Sequence, residues 1–398
     1  MQNFKTKYMI FATFFAMLIM AITDSTKGIL IPTFKEVFQV SDTTIGTFLM
    51  LGSISYVAST YFGSILCGKL GQKKIIMFGM TIAGFGFLAT SFSQTFGHIM
   101  AGYMVITVGI AFIAIGMNTL IPLVKVAYLG LLMNLLHFFY GVGSTLTQRI
   151  TGYLVFKGIE WRLIFIAYFG LYVLSFLVYA FVKAPKDNSA KDSKEKGSIP
   201  NKGLLVLFCM SLGFYVAAEM QTANWLLNYL KEAMQMNVSD GSFYVAFFFG
   251  IFSIGRLVGG MVVEKVGYLK SVIISMSIAL VLYTTGLLMG AQGMILISIS
   301  GLFFAINFPT LLLVIQKTFP KNGTYIAGIA TMTASLTSMV VGYLMGVFND
   351  LIGPAITIFM VPASLAIALG LAVVISVKLK SDALNSSQQE PAFIQMES

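Results

Sequence analysis

Twelve apolar stretches, each long enough to cross a lipid bilayer, follow one another along the 398 residues, so this chain is built to fold in lipid rather than in water. They run at about 8–33, 43–67, 75–94, 97–124, 131–156 and 162–183, then at about 203–230, 240–262, 270–291, 293–316, 323–348 and 353–378. Hydrocarbon offers no water to satisfy backbone groups, so each stretch is expected to be a helix. The start, MQNFKTKYMIFATFFAMLIMAITD, has the basic lead and apolar core of a signal peptide. It lacks a small-residue cleavage site and its apolar run continues past Asp24, so it reads as an uncleaved first span. One long polar segment, KAPKDNSAKDSKEKGSIPNK, interrupts the series after the sixth span and has the composition of a flexible linker. The expected fold is therefore an all-α integral membrane protein with twelve transmembrane helices in two six-helix bundles. Its units are an N-terminal bundle at 1–183, a linker at 184–202, a C-terminal bundle at 203–380 and a polar tail at 381–398.

Loop charge orients the chain. Lys69, Lys73, Lys74, Lys265, Lys270, Lys317 and the linker lysines all fall on one side, whereas the other side carries Lys35, Lys157, Arg162 and Lys231. Basic loops stay in the cytoplasm, so both termini, the linker and residues 68–74 and 263–270 are expected there, in a multi-pass protein of the cell membrane. The net charge of +10 is spread over these short loops rather than gathered on a domain, which argues against nucleic acid as a partner.

The two halves repeat. Gly63, Lys69, Gly71 and Lys74 after span 2 each stand 196 positions before Gly259, Lys265, Gly267 and Lys270 after span 8, and the same offset brings Asp24 within one residue of Glu219. Parallel repeats of six spans are a recurring transporter plan, with the substrate held near the midplane between them.

A charge at the bilayer centre costs at least about 2.5–3.5 kcal/mol on insertion scales, so such groups face a cavity or a partner. Asp24, Lys27, His137, Arg149 and Glu219 are the candidates. Asp24 and Lys27 are three apart, on one helix face, as either a structural ion pair or part of the central path. In span 5, Asn134, His137, Gly141, Ser144 and Gln148 recur at intervals of three and four, with Tyr140 at the border of their stripe. A stripe this long lines water, a ligand or other polar helices. Asn118 in span 4 either contacts ligand or bonds another helix. In span 7, AAEMQTANWLLNYL supplies Glu219, Gln221, Asn224 and Trp225, the residue types of a sugar site: carboxylate and amides for hydroxyls, an indole for the C–H face of a pyranose. Glu219 and Trp225 do not share a narrow face, so a broken or wide cavity-facing helix is expected if both touch one substrate. Glu219 has no basic residue within a helical turn and is the first choice for a proton-coupling group, with His137 second and Asp24 fixing the electrostatics of the site. Lys69, Gly71, Arg256, Gly260, Glu264 and Gly267 are expected to form a gate at the membrane edge, apart from the substrate site. Arg149 is a candidate partner for Asp24.

On ITDSTKGILIP in span 1, LLHFFYGVG in span 5, EWR at 160–162, EMQTANWLLNYL in span 7, GRLVGGMVVEKVGYLK after span 8 and FFAINFPTLLL in span 10, the chain resembles the major facilitator superfamily. Within that superfamily it is similar to the fucose-permease-like sugar:proton symporters, over residues 8–380. The resemblance implies alternating access around a central sugar site, proton symport, and a place for Asn307 in that site. It departs from the group where a second carboxylate is usual in span 4, with Ala114 and Ile115 there instead, and in the first loop motif, with Gly68 opposite Glu264. Multidrug or amphiphile efflux, favoured by the Phe and Met content, and a non-transporting sensor are the other readings. No Ser/His/Asp order, zinc-ligand spacing or phosphate-cradling loop points to an enzyme, a metal or a cofactor. Lipid, a small sugar and a proton are the expected partners of a chain expected to act as a monomer.

Overall fold

The computed structural model describes residues 2–124, 129–185, 201–319 and 323–389; the linker core and the last residues of the tail lie outside this set. The described residues are helical and make up twelve membrane crossings. Span 1 is made of two helices, Gln2–Asp24 and Thr26–Phe38; spans 2 to 6 are Asp42–Leu70, Gln72–Ser91, Phe96–Leu120, Leu129–Phe156 and Trp161–Ala180. Spans 7 to 9 are Lys202–Glu232, Val238–Val266 and Tyr268–Leu288. Span 10 is again two helices, Met294–Phe304 and Asn307–Thr318; span 11 is Gly323–Ile352, and span 12 is a short turn, Pro354–Thr357, followed by Met360–Gln389. Eleven of these crossings are long and apolar enough to span a membrane by length and composition, among the described residues. The other is span 5, which carries the polar stripe. Large apolar side chains such as Phe62, Phe181, Leu288 and Val377 stand exposed on the outside of the molecule, where lipid is the solvent.

An even number of crossings puts both ends of the chain on one face, called here the terminal face, with the loops at 39–41, 157–160, 233–237 and 353 on the far face. Spans 1–6 pack on one another and spans 7–12 do the same, and the two bundles meet along spans 2 and 11, 5 and 8, and 1 and 7. Lipid gives no hydrophobic drive for that meeting, so close packing and polar clasps have to supply it. Gly46 and Gly346 let spans 2 and 11 touch backbone to backbone: a Cβ on Gly346 would stand 2.4 Å from the Asp42 carbonyl oxygen. The repeat in the sequence is also a repeat in backbone geometry. Gly71 and Gly267 end spans 2 and 8 at φ 86° and 97°, a region that residues with a Cβ avoid, and each N–H donates to a carbonyl four residues back, on Cys67 and Val263 respectively.

The polar clasps lie on the far face. Lys35 pairs with Glu232, and Lys231 with Glu36. These four residues are themselves repeat-related, 35 with 231 and 36 with 232, so one Lys-Glu dipeptide at the end of span 1 meets its counterpart at the end of span 7 head to tail. Lys35 also reaches Asp42 at 2.8 Å. Asp350, at the end of span 11, accepts from the N–H groups of Asp42 and Thr43 at 2.9 and 2.7 Å, capping the start of span 2 with a negative charge. Arg149 does not meet Asp24. Its guanidinium instead donates to the Ser239 carbonyl at 3.0 Å and hydroxyl at 3.2 Å, joining span 5 to span 8.

Candidate substrate and proton site

Span 1 is interrupted at Ser25 because side chains compete for its carbonyls. The Ile22 carbonyl accepts from the Thr147 hydroxyl of span 5 at 2.7 Å and from Thr26 at 3.0 Å, and the Ser25 carbonyl accepts from the Gln148 amide at 3.4 Å. Tyr168 and Tyr172 of span 6 bind the hydroxyls of Thr26 and Thr23 at 2.7 and 2.8 Å, bracing the interruption from behind. It leaves Asp24 and Lys27 facing the space between the bundles.

That space is a cavity of about 250 Å³. Its N-bundle wall carries Asp24, Lys27, Tyr56, Tyr103 and Tyr140, and its C-bundle wall Gln221, Asn224, Ser335 and Ser338. Asp24 is held twice, by Lys27 at 2.8 Å and by the Tyr140 hydroxyl at 2.7 Å. Opposite, Gln221 donates its amide hydrogens to the carbonyl and hydroxyl of Ser338 at 2.9 and 3.1 Å. Among the described residues its Oε1 has no hydrogen-bond partner, nor has Oδ1 of Asn224, and both side chains are more than nine-tenths buried. Buried acceptors of this kind are costly unless something donates to them.

Beside this cavity is a smaller one of about 60 Å³, which shares Asp24, Lys27, Tyr140 and Asn224 and adds Ser144, Gln148, Glu219, Phe252 and Arg256. Glu219 accepts from the Tyr215 hydroxyl at 2.7 Å, and its other oxygen lies 3.8 Å from the Arg256 guanidinium, which stacks on Phe252. Arg256 is thus an inhabitant of the centre and not of the membrane-edge gate. Span 8 brings the cation that Glu219 lacks along its own helix. Lys69, Gly260 and Glu264 are exposed on the terminal-face half, where a Cβ on Gly71, Gly260 or Gly267 would meet nothing within 4 Å.

Other expectations are corrected by packing. Span 7 is one unbroken helix of 31 residues, so Glu219 and Trp225 point to different places. Trp225 is 1% exposed in the apolar core and lines neither cavity; the tyrosines of the N-bundle supply the aromatic faces instead. Asn307 is fully buried and donates to the carbonyls of Phe303 and Phe304, which the interruption of span 10 sets free. It also bonds the Tyr215 side chain, and it lines neither cavity. Asn118 lines neither cavity, and His137 lies within electrostatic reach of Arg256 without lining either. The side chain of Asn134 lies outside the described set. Tyr56, Tyr103 and Ser338 were missed because single hydroxyls in apolar helices carry no periodic signal. Replacing Trp225 with Ala is accordingly expected to cost about 3–5 kcal/mol of stability while leaving ligand affinity of the folded protein within about twofold. Thermal unfolding in detergent, paired with equilibrium binding, separates the two.

A model of the Major Facilitator Superfamily matches residues 11–334. A glucose/galactose transporter of Brucella abortus is 23% identical over 350 residues, covering 82% of this chain and 84% of that protein. Among solved structures, a D-xylose-proton symporter superposes with a TM-score of 0.77 at 14% identity, covering 93% of this chain and 96% of that one. FucP, a superfamily transporter solved in the outward conformation, gives 0.63 at 17% identity over 92% and 98%. These structural likenesses concern the fold.

Proposed function

The chain belongs to the major facilitator superfamily, and from that premise we propose that it carries a monosaccharide across the cell membrane by alternating access, coupled to protons. The observation that carries the sugar reading is the polar lining of the cavity, where the amide side chains of Gln221 and Asn224 and the Ser335 and Ser338 residues on the C-bundle wall stand across from three tyrosines and the Asp24–Lys27 ion pair. Such a wall suits a ligand that both donates and accepts, as the hydroxyl groups on a compact ring do. The volume of about 250 Å³ is room enough for one sugar ring. The carbohydrate names of the relatives and neighbours agree with it. An efflux pocket for apolar amphiphiles would not be walled by an ion pair and amide side chains.

With the basic loops on the terminal face, that face is the cytoplasmic one and both termini are inside. The clasps on the far face then close the outside, and the molecule stands ready to open inward. Glu219 is the proton-coupling group of this reading. Asp24 is already paired with Lys27 and accepts from the Tyr140 hydroxyl, whereas Glu219 holds its cation only loosely, at 3.8 Å. Asn224→Leu tests the sugar site. Losing one hydrogen bond of about 1–1.5 kcal/mol raises the Kd for a bound hexose about tenfold. An unchanged Kd in a folded variant would remove Asn224 from the site.

A further inference from the structure

Span 10 is interrupted at Ala305 and Ile306, and Pro309, which has no N–H, lies in the first turn after the interruption. The freed carbonyl of Phe304 has two neighbours: the Asn307 amide at 3.2 Å, and the Tyr215 hydroxyl at 2.5 Å. The same hydroxyl donates to Glu219 Oε2 at 2.7 Å. Tyr215 is fully buried and does not line the sugar cavity.

A hydroxyl has one hydrogen and a carbonyl oxygen has none. Both close contacts can be hydrogen bonds at once only when Glu219 carries a proton, which it then gives toward the tyrosine oxygen while the tyrosine donates to Phe304. When Glu219 is ionised, carboxylate and carbonyl compete for one hydrogen, and a charged acceptor forms the stronger bond. The Phe304 carbonyl is then left with the long bond from Asn307. We infer that Tyr215 is the positioning residue that couples the protonation of Glu219 to the interruption in span 10, and so makes proton binding felt in that helix.

This rests on the proton-coupled reading above. The groups that face Glu219 fit a single responsive site. Arg256 approaches from span 8 and Tyr215 from its own helix; Tyr140 and Gln148 of span 5 and the Asp24–Lys27 pair of span 1 share the small cavity with it, and His137 stands near Arg256. Of these, Asp24 and Lys27 are bonded to each other, and neither Arg256 nor Lys27 has to change charge for Glu219 to do so.

The experiment uses the full chain in proteoliposomes, with labelled hexose as probe. Tyr215→Phe is expected to retain sugar exchange, to lose accumulation driven by an inward proton gradient, and to shift the pH profile of exchange. Combining it with Glu219→Gln is expected to be no worse for accumulation than either alone, since both cut one link. Normal gradient-driven accumulation by Tyr215→Phe would overturn the inference and leave the sugar–proton reading standing. Absence of gradient-driven accumulation in the unaltered protein would overturn both. A second measurement needs no tyrosine variant. Amide-hydrogen exchange of residues 305–308 is expected to be faster at a pH where Glu219 is ionised, and to lose that pH response in Glu219→Gln. Equal exchange at both pH values would overturn the inference.

Discussion

Glu219→Gln is expected to abolish concentrative uptake while sugar exchange continues. The amide keeps a bond with Tyr215 and removes only the ability to gain and lose a proton. Glu219 also borders the small cavity rather than the larger one, so the larger cavity's wall of Gln221, Asn224 and Ser338 is left intact. Arg256 loses its counter-charge, but it remains stacked on Phe252 and partly exposed, which limits the cost to the fold. The magnitude follows from the gradient. With one proton per sugar, one pH unit is worth about 1.4 kcal/mol and sustains an accumulation of about tenfold. The variant should reach no accumulation at all. Uptake assays at a fixed pH gradient, alongside exchange without one, give the comparison. Normal accumulation would take Glu219 out of the coupling path and leave His137 as the coupling group.

The second large effect is expected on the far face. Lys35 is mostly buried between Glu232 and an Asp42 carboxylate that is 4% exposed, whereas Glu36, paired with Lys231, is 68% exposed. Exposed ion pairs contribute about 0–1 kcal/mol, and bonds to buried charges about 1.5–3 kcal/mol. Lys35→Ala should therefore move the balance toward a far-face-open form by roughly tenfold to a hundredfold, and Glu36→Ala by less than about fivefold. Distance distributions between spin labels on the far ends of spans 1 and 7 read this balance directly. Equal effects of the two substitutions would mean that burial does not set the strength of the clasp.

Hydropathy made the twelve crossings legible, and the spacing of the loop motifs the internal repeat, because lipid imposes such features span by span. Asp24, Gln221 and Asn224 were legible as cavity residues for the same reason: a polar group in an apolar helix has to face something. What they face is a matter of helix rotation and neighbour choice, which a single chain does not spell out. Arg256 sat in a loop-flanking motif and so read as a gate residue, yet the rotation of span 8 turns it onto Glu219. Trp225 has the chemistry of a sugar platform but lies on the core face of an unbroken helix. The interruptions fell in spans 1 and 10 rather than in span 7, since Thr147 and Gln148 draw on the carbonyls of span 1, and Asn307 with Pro309 favours a stop in span 10. The Lys-Glu clasp was within reach of the repeat offset. That the dipeptides cross-pair follows only from spans 1 and 7 meeting antisymmetrically at the far face.

The central claim, a sugar moved through this cavity and coupled to protons, is tested most directly by counterflow of labelled hexoses into proteoliposomes, run with and without a pH gradient. Rapid entry of at least one labelled monosaccharide against its unlabelled form, raised above equilibrium by an inward proton gradient, is the expected result. Failure of every monosaccharide to exchange, with the protein folded and correctly inserted, would contradict it and turn the cavity over to a different class of substrate.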